Sequence, residues 1–254
     1  MKLIVSKDLR RLASGAAAEF VRIANEAIAE RGAFRVALSG GSTPRALYEK
    51  LVTAQLDWSR VYFFFGDERN VPADDERSNY RLAHEFLFRP LSIDPDGIYR
   101  WRTEIGGPDA VAEDYRTQIH VGWLKGMEPT EEGQDPVSAL IESDLRFDLI
   151  LLGMGEDGHT ASLFPGTMAL QFDGVAAANF VPQLDQWRYT LTFPVINNAR
   201  NVMFLVAGAE KAPTLREVLE GDQRPDTFPA QSVQLSDGEV FWFVDKEAAA
   251  ELTS

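Results

Sequence analysis

The chain contains no cysteine, which excludes disulfides, thiolate nucleophiles and zinc sites built on cysteine, and suits a reducing compartment. Histidine is scarce as well, with His84, His120 and His159 the only three. No apolar run approaches the ~18 residues of a membrane span, and Met1 to Val5 offers one Lys and then three apolar residues, short of the apolar region of a signal peptide. A cytoplasmic protein is expected. Positive charge is the remaining shortage: 25 Lys and Arg face 39 Asp and Glu, for a net charge of −14. General binding to nucleic acid or to anionic membranes needs a basic face and is not expected. An anionic ligand would need a local exception.

What remains is globular in balance, with 45% hydrophobic and 25% charged residues over 254 positions. From Asp8 to Arg31 the apolar residues Leu9, Leu12, Ala13, Ala16, Phe20, Ile23, Ala24 and Ala27 recur at steps of three and four, and Gly32 follows as a C-terminal cap. That spacing predicts a helix. Short branched and aromatic runs at Arg35–Leu38, Val61–Phe65, Phe147–Leu152, Val202–Val206 and Val240–Val244 are almost unbroken by polar residues, as in strands buried on both faces. Helical patterns alternate with them at Pro44–Thr53, Asn79–Phe86, Asp109–Leu124, Lys211–Leu219 and Lys246–Leu252. The alternation predicts an α/β fold, a mostly parallel open sheet with helices on both faces. The acidic stretch Met127–Arg146 reads as a solvated excursion. No repeat, low-complexity block or Ser/Gly linker divides the chain, so residues 1–254 are read as one domain.

In open parallel sheets ligands gather beyond the carboxyl ends of the strands, and three strand ends here carry chemistry. The first runs Leu38-Ser39-Gly40-Gly41-Ser42-Thr43-Pro44 into a helix. Two glycines permit a tight turn, either Ser42 or Thr43 is placed to cap, and Pro44 suits the first turn. Free N–H groups at a positive helix end suit phosphate, although an ordinary capped turn has the same sequence. No Gly-Lys-Ser or Gly-Lys-Thr follows, so a Walker loop is not indicated. The second end, Phe65-Gly66-Asp67-Glu68-Arg69, sets carboxylates for sugar hydroxyls beside a cation for an anion or oxyanion; a surface turn with an internal ion pair is the plain alternative.

The third end is Gly153-Met154-Gly155-Glu156-Asp157-Gly158-His159-Thr160-Ala161-Ser162-Leu163-Phe164-Pro165. Its Gly-x-Gly-x-x-Gly is not read as a dinucleotide site, because Pro165 and Gly166 leave room for only a short helix after His159. The glycines instead bring backbone close to a small ligand, with Asp157 and His159 projecting toward it. His84 and His120 lie in helical patterns and read as structural, whereas a histidine on a Gly-rich loop at a strand end has few structural reasons to be there. Farther on, Arg188-Tyr189-Thr190-Leu191-Thr192 alternates like a strand, and Gly208-Ala209-Glu210-Lys211 follows another. Each brings a cation toward the same edge.

These segments, with Ser78-Asn79 and the closing Trp242-Phe243-Val244-Asp245, occur in an order that resembles the 6-phosphogluconolactonases, within the superfamily that also holds glucosamine-6-phosphate isomerase/deaminases. The resemblance spans about Arg35 to Asp245, and Gly155-Glu156-Asp157-Gly158-His159 through Pro165 is its most specific part. It implies a Rossmann-like, NagB-type fold and hydrolysis of 6-phospho-D-glucono-1,5-lactone without metal or organic cofactor. Deaminases carry a glutamate five residues after that histidine; here Phe164 stands there, and a phenyl ring exchanges no proton.

On that resemblance, His159 is expected as general base with Asp157 or Glu156 orienting it. Arg69 or a loop amide is expected as oxyanion donor, with Asp67 beside it. Gly40, Gly41, Ser42, Thr43, Asn79, Arg188 and Lys211 are expected around the phosphorylated sugar. No helix-turn-helix for a DNA-binding sugar-phosphate sensor is visible, and the protein is expected as a monomer or small homo-oligomer. A nicotinamide-dependent oxidoreductase is the remaining alternative, to be separated by a cofactor titration.

Overall fold

A computed structural model of the chain describes residues 1–125 and 145–253. The expected acidic excursion Met127–Arg146 lies outside the described residues, apart from Leu145 and Arg146. Nine strands are described: β1 Lys2–Ser6, β2 Phe34–Leu38, β3 Val61–Phe65, β4 Asp67–Arg69, β5 Leu149–Leu152, β6 Ala176–Val181, β7 Gln186–Leu191, β8 Asn201–Val206 and β9 Glu239–Asp245. The main helices are α1 Leu9–Arg31, α2 Ser42–Leu51, α3 Asn79–Ala83, α4 Arg89–Leu91, α5 Pro108–Leu124, α6 Phe193–Asn197 and α7 Ala212–Glu220.

Six strands form one sheet in the order β1-β9-β8-β5-β2-β3, and every pairing in it is parallel. The expected mostly parallel sheet is therefore found. Its runs are unbroken by polar residues because both faces are covered. Along β3, Phe63 stacks on Trp58 and meets Phe88, while the next residue, Phe64, stacks on Tyr99 and meets Trp123 of α5. Successive side chains of a strand point to opposite faces, so adjacent phenylalanines can both be fully buried. Each such side chain contributes roughly 1.5–3 kcal/mol.

Helix α1 covers one face with Leu12, Ala16, Phe20, Ile23, Ala24 and Ala27 buried. Asp8 caps its start by accepting from the Arg11 amide at 2.9 Å, and Gly32 ends it at φ 76°. These caps satisfy backbone groups that a helix end would otherwise leave unpaired.

Strands β2 and β5 are neighbours, yet the chain leaves β2 toward β3 on one side and leaves β5 toward β8 on the other. Their carboxyl ends therefore open a crevice where the winding reverses, the place where such sheets take ligands. Above this edge stands a second, antiparallel sheet of order β4-β7-β6. Gly66 carries the chain directly from β3 to β4. Its amide donates to Leu38 O at 2.8 Å and its carbonyl accepts from Leu191 N at 2.8 Å, which ties the small sheet to the end of β2.

Some local expectations are corrected. Lys246–Leu252 forms consecutive turns, not a helix. The pattern Asn79–Phe86 is α-helical only to Ala83 and then passes into a π-helical turn, His84–Phe88. Strand β7 realises the alternation read at Arg188–Thr192, starting two residues earlier. Among the described residues, no helix is long and apolar enough to cross a membrane.

Candidate active site

The loop after β2 exposes backbone. Helix α2 begins at Ser42 with Gly41 as its N-cap, and no side chain bonds to its first amides. Ser42 and Thr43, read as alternative caps, both lie inside the helix and cap nothing, while Pro44 falls in the first turn as expected. Gly41 adopts φ 105°, which a side chain would strain. Tyr48 of α2 anchors the loop, donating from its hydroxyl to Ser39 O at 2.5 Å and accepting from Ser39 N at 3.2 Å. The first-turn amides of a ten-residue helix are thus free to meet an anion.

Gly40 lies so close to Asn79 that a Cβ on it would overlap the Asn79 side-chain oxygen. Asn79 in turn donates to Asp67 O at 2.9 Å and to Asp67 Oδ1 at 3.0 Å, while its own Oδ1 accepts from Arg69 at 2.7 Å. Both ends of its amide are spent within the protein and the residue is 1% exposed. Asn79, expected among the ligand-binding residues, braces the Gly40 turn against the Asp67–Arg69 corner.

Glu68, also buried, accepts from the amides of Arg69, Asn79 and Tyr80 and from the Ser78 hydroxyl at 2.8–3.0 Å. Burial pushes its carboxyl above the ordinary range and the amide donors pull it back. It therefore holds the start of α3 and has no free face. Asp67 accepts from the Ser162 hydroxyl at 2.8 Å, joining β4 to the loop after β5.

Arg69 and Arg188 are direct cross-strand partners. Arg69 gives one nitrogen to Arg77 O and Asn79 Oδ1, and Arg188 gives one to Gln186 Oε1 at 2.7 Å. Neither has a carboxylate partner within salt-bridge distance among the described residues. Burial first, and then the charge of Arg69, hold the Arg188 guanidinium below its ordinary value, against the pull of Asp67 and Glu68. Like charges set opposite each other repel, a cost that an anion between them would relieve.

The loop after β5 closes on itself. Gly155 N donates to His159 O at 2.9 Å, Gly158 N to Gly155 O at 3.1 Å and Leu163 N to Thr160 O at 2.9 Å. The Thr160 hydroxyl donates to Gly153 O at 2.9 Å. No helix begins at His159; a turn with a Thr160–Leu163 bridge follows instead. The imidazole Nδ1 of His159 lies 2.5 Å from Asp157 Oδ1. Partial burial works to raise the Asp157 carboxyl, but the hydrogen bond and charge of His159 prevail and hold it below the ordinary range. An ionised Asp157 only accepts, so Nδ1 carries the hydrogen, and in the neutral ring that leaves the lone pair on Nε2.

Asp67, Arg69, Glu156, Asp157, His159, Ala161, Ser162, Phe164, Leu184 and Arg188 line one cavity of about 380 Å³. The structure thus brings His159, Asp157, Arg69, Asp67 and Arg188 together. Lys211 is outside this lining, with its Nζ 4.0 Å from Glu156 Oε1. Gly40 adjoins the cavity through Asn79, which bonds to Asp67 and Arg69 of its lining. His120 binds Arg116 O within α5 and His84 packs near Tyr80, both away from the cavity. Sequence reasoning did not assign Leu184, at the tip of the β6–β7 hairpin, because nothing in a turn sequence marks a cavity wall. Nor does the sequence mark the Ser162 hydroxyl as a donor to Asp67. No group of His, Cys, Asp and Glu among the described residues is arranged to hold a metal ion.

Residues 7–242 match the family model described as glucosamine-6-phosphate isomerases/6-phosphogluconolactonase. A 6-phosphogluconolactonase of Synechocystis is 39% identical over 227 residues, covering 89% of this chain and 88% of that protein. One of Chlamydia pneumoniae is 36% identical over 252 residues, covering 97% and 89%. The solved structure of 6-phosphogluconolactonase from Trypanosoma cruzi superposes with a TM-score of 0.81 at 31% identity, covering 100% of this chain and 97% of that one. With a parallel sheet, a reversal crevice and an Asp–His pair beside paired arginines already in place, these similarities show that the chain belongs to the glucosamine-6-phosphate isomerase/6-phosphogluconolactonase family.

Proposed function

We propose that the chain hydrolyses 6-phospho-D-glucono-1,5-lactone to 6-phosphogluconate, the second step of the oxidative pentose phosphate pathway, with His159 as general base. The observation that carries this reading is the Asp157–His159 contact at 2.5 Å on a cavity wall facing Arg69 and Arg188. A phosphorylated lactone is an anion at one end and an electrophilic acyl carbon at the other. The cavity and the loop beside it offer a counterpart for each.

In this reading the α2 amides, Arg188 and Lys211 hold the phosphate, and that remote binding orients C1 toward His159. Nε2 takes a proton from water as the water oxygen bonds to C1. Arg69, whose remaining guanidinium nitrogens are without hydrogen-bond partners among the described residues, stabilises the oxyanion. The intermediate collapses with cleavage of the bond from C1 to the ring oxygen, which receives the proton back from the imidazolium. Asp157 keeps the tautomer and steadies the transient charge. General-base help is worth ~10²–10⁴ and an oxyanion donor ~10²–10³, enough for an ester that is already activated, so no covalent intermediate is required.

Proton release from freshly prepared lactone, followed for the wild type beside His159→Ala, tests the proposal. Fast release by the wild type alone supports it, and equal rates remove His159 from the mechanism. Ammonia release from glucosamine 6-phosphate would instead establish the deaminase reaction, against which the phenyl ring of Phe164 argues.

A further inference from the structure

The imidazole of His159 is held by more than Asp157. Its ring lies against the ring of Phe164 with centroids 3.9 Å apart and planes 21° apart. At its edge stands Gly155, where a Cβ would overlap Nδ1 and Cε1 of the imidazole and crowd Asp157 Oδ1. Phe164 is itself 7% exposed, and its carbonyl accepts from the Thr167 hydroxyl at 2.8 Å, which in turn is held by Asn179 Nδ2 at 3.0 Å. Asn179 also donates to Ser162 O at 2.9 Å. The stacking residue therefore sits on a fixed stretch of backbone between the loop and strand β6.

We propose that Phe164 and Gly155 are positioning residues that form a slot for the His159 ring, Phe164 closing one face and Gly155 leaving room at the edge. A hydrogen bond at Nδ1 fixes one point of the ring but allows it to pivot about that point; a flat wall removes the pivot. Nε2 is then aimed at one place in the cavity in every molecule. Face-to-face contact of this kind needs a planar neighbour, and an aliphatic side chain of similar volume does not supply one. Misplacement of a reacting group by about 1 Å costs on the order of 10²-fold in rate, so the slot acts on the chemical step and not on substrate affinity. This inference rests on His159 being the base of the proposed lactonase.

The test uses the full chain with Phe164→Leu, Phe164→Tyr and Gly155→Ala, read by lactone hydrolysis and by the proton resonances of the His159 ring. Phe164→Leu is expected to lower kcat about 10-fold or more with KM within about twofold, and Phe164→Tyr, which keeps the flat face, to restore most of kcat. The His159 ring protons of the wild type should be displaced upfield by the phenyl ring, and that displacement should vanish in Phe164→Leu. Phe164→Leu with wild-type kcat, or with a loss expressed wholly in KM, overturns the proposal. So does a histidine spectrum that is the same with and without the phenyl ring. A wild type that shows the upfield histidine but hydrolyses no lactone refutes the functional reading while leaving the seating of the ring established.

Discussion

The two loops that flank the reversal crevice spend their backbone in opposite ways. After β2, the chain turns through Gly41 into α2 and leaves the first amides of the helix unbonded by any side chain. After β5, the amides of Gly155, Gly158 and Leu163 are consumed inside the loop itself, and what it presents is a side chain, His159. A ligand dianion is met well by diffuse backbone donors, which tolerate some motion of the phosphate. Proton transfer needs one atom in one place, and a loop closed on itself suits that requirement. In the proposed reading the first loop is a cradle and the second a mount.

The largest expected effect removes the mounted group. His159→Ala should lower kcat by about 10²–10⁴-fold with little change in KM, measured by proton release under saturating lactone. A comparable rise in KM would mean that the second loop also binds the phosphate, and the contrast between the loops would dissolve. Next comes the mount itself. Gly155 has an ordinary backbone conformation, so Gly155→Ala is not strained in the chain, yet the new methyl would occupy the place of the imidazole edge. A loss of about 10²-fold in kcat with an unchanged thermal midpoint is expected; a fall in stability without a fall in kcat would make Gly155 a purely structural residue.

The cradle should answer differently. Arg188→Ala and Lys211→Ala each remove a cation assigned to the phosphate, and hydrogen bonds to charged groups are worth ~1.5–3 kcal/mol. KM is expected to rise about 10-fold or more in each, with kcat less affected. Lys211 is the sharper test, because its Nζ stands 4.0 Å from Glu156 and lies outside the cavity lining. An unchanged KM in Lys211→Ala alone would leave phosphate binding to the α2 amides and Arg188; unchanged values in both would place the phosphate elsewhere.

The sheet was legible because burial on both faces writes itself into the sequence: Val61 to Phe65 admits no charged residue, and Phe63 and Phe64 find separate aromatic partners on opposite sides. Strands β4 and β6 left no such mark. Asp67-Glu68-Arg69 is charged throughout, and its three residues pair as a strand only because β7 passes beside it, a fact of tertiary structure. The end of the chain misled for the converse reason. Lys246 to Leu252 has helical spacing, and Asp245 even accepts from the Ala248 amide at 2.8 Å as an N-cap would, but the bonds that follow, Ala250 N to Glu247 O and Leu252 N to Ala249 O, close over three residues, so the segment runs as a series of turns. At the site, residue types pointed to His159 and Asp157, and these two side chains stand 2.5 Å apart on one cavity wall. The bracing contacts of Asn79 with Asp67 and Arg69 left no mark in the sequence, since an amide that binds ligand and one that braces an arginine are the same letter.

The smallest effect concerns what the mount contributes to stability. Asp157 has a folded pKa below its unfolded value of 3.8, chiefly because His159 offsets partial burial. Its ionised form therefore stabilises the fold at pH above about 4, and that contribution disappears as pH falls through the lower, folded value. Because the side chain is 48% exposed, water screens the interaction and the contribution falls near the low end of the ~0.2–1 kcal/mol typical of exposed pairs. Urea unfolding of the wild type and Asp157→Asn should show a small gap at pH 6 that narrows on acidification. A gap that widens in acid would mean that the protonated carboxyl is the favoured form, and with it that Nδ1 is not the donor. The lone pair at Nε2 on which the base chemistry depends would then be lost, so the weakest of these measurements bears on the tautomer that the strongest one assumes.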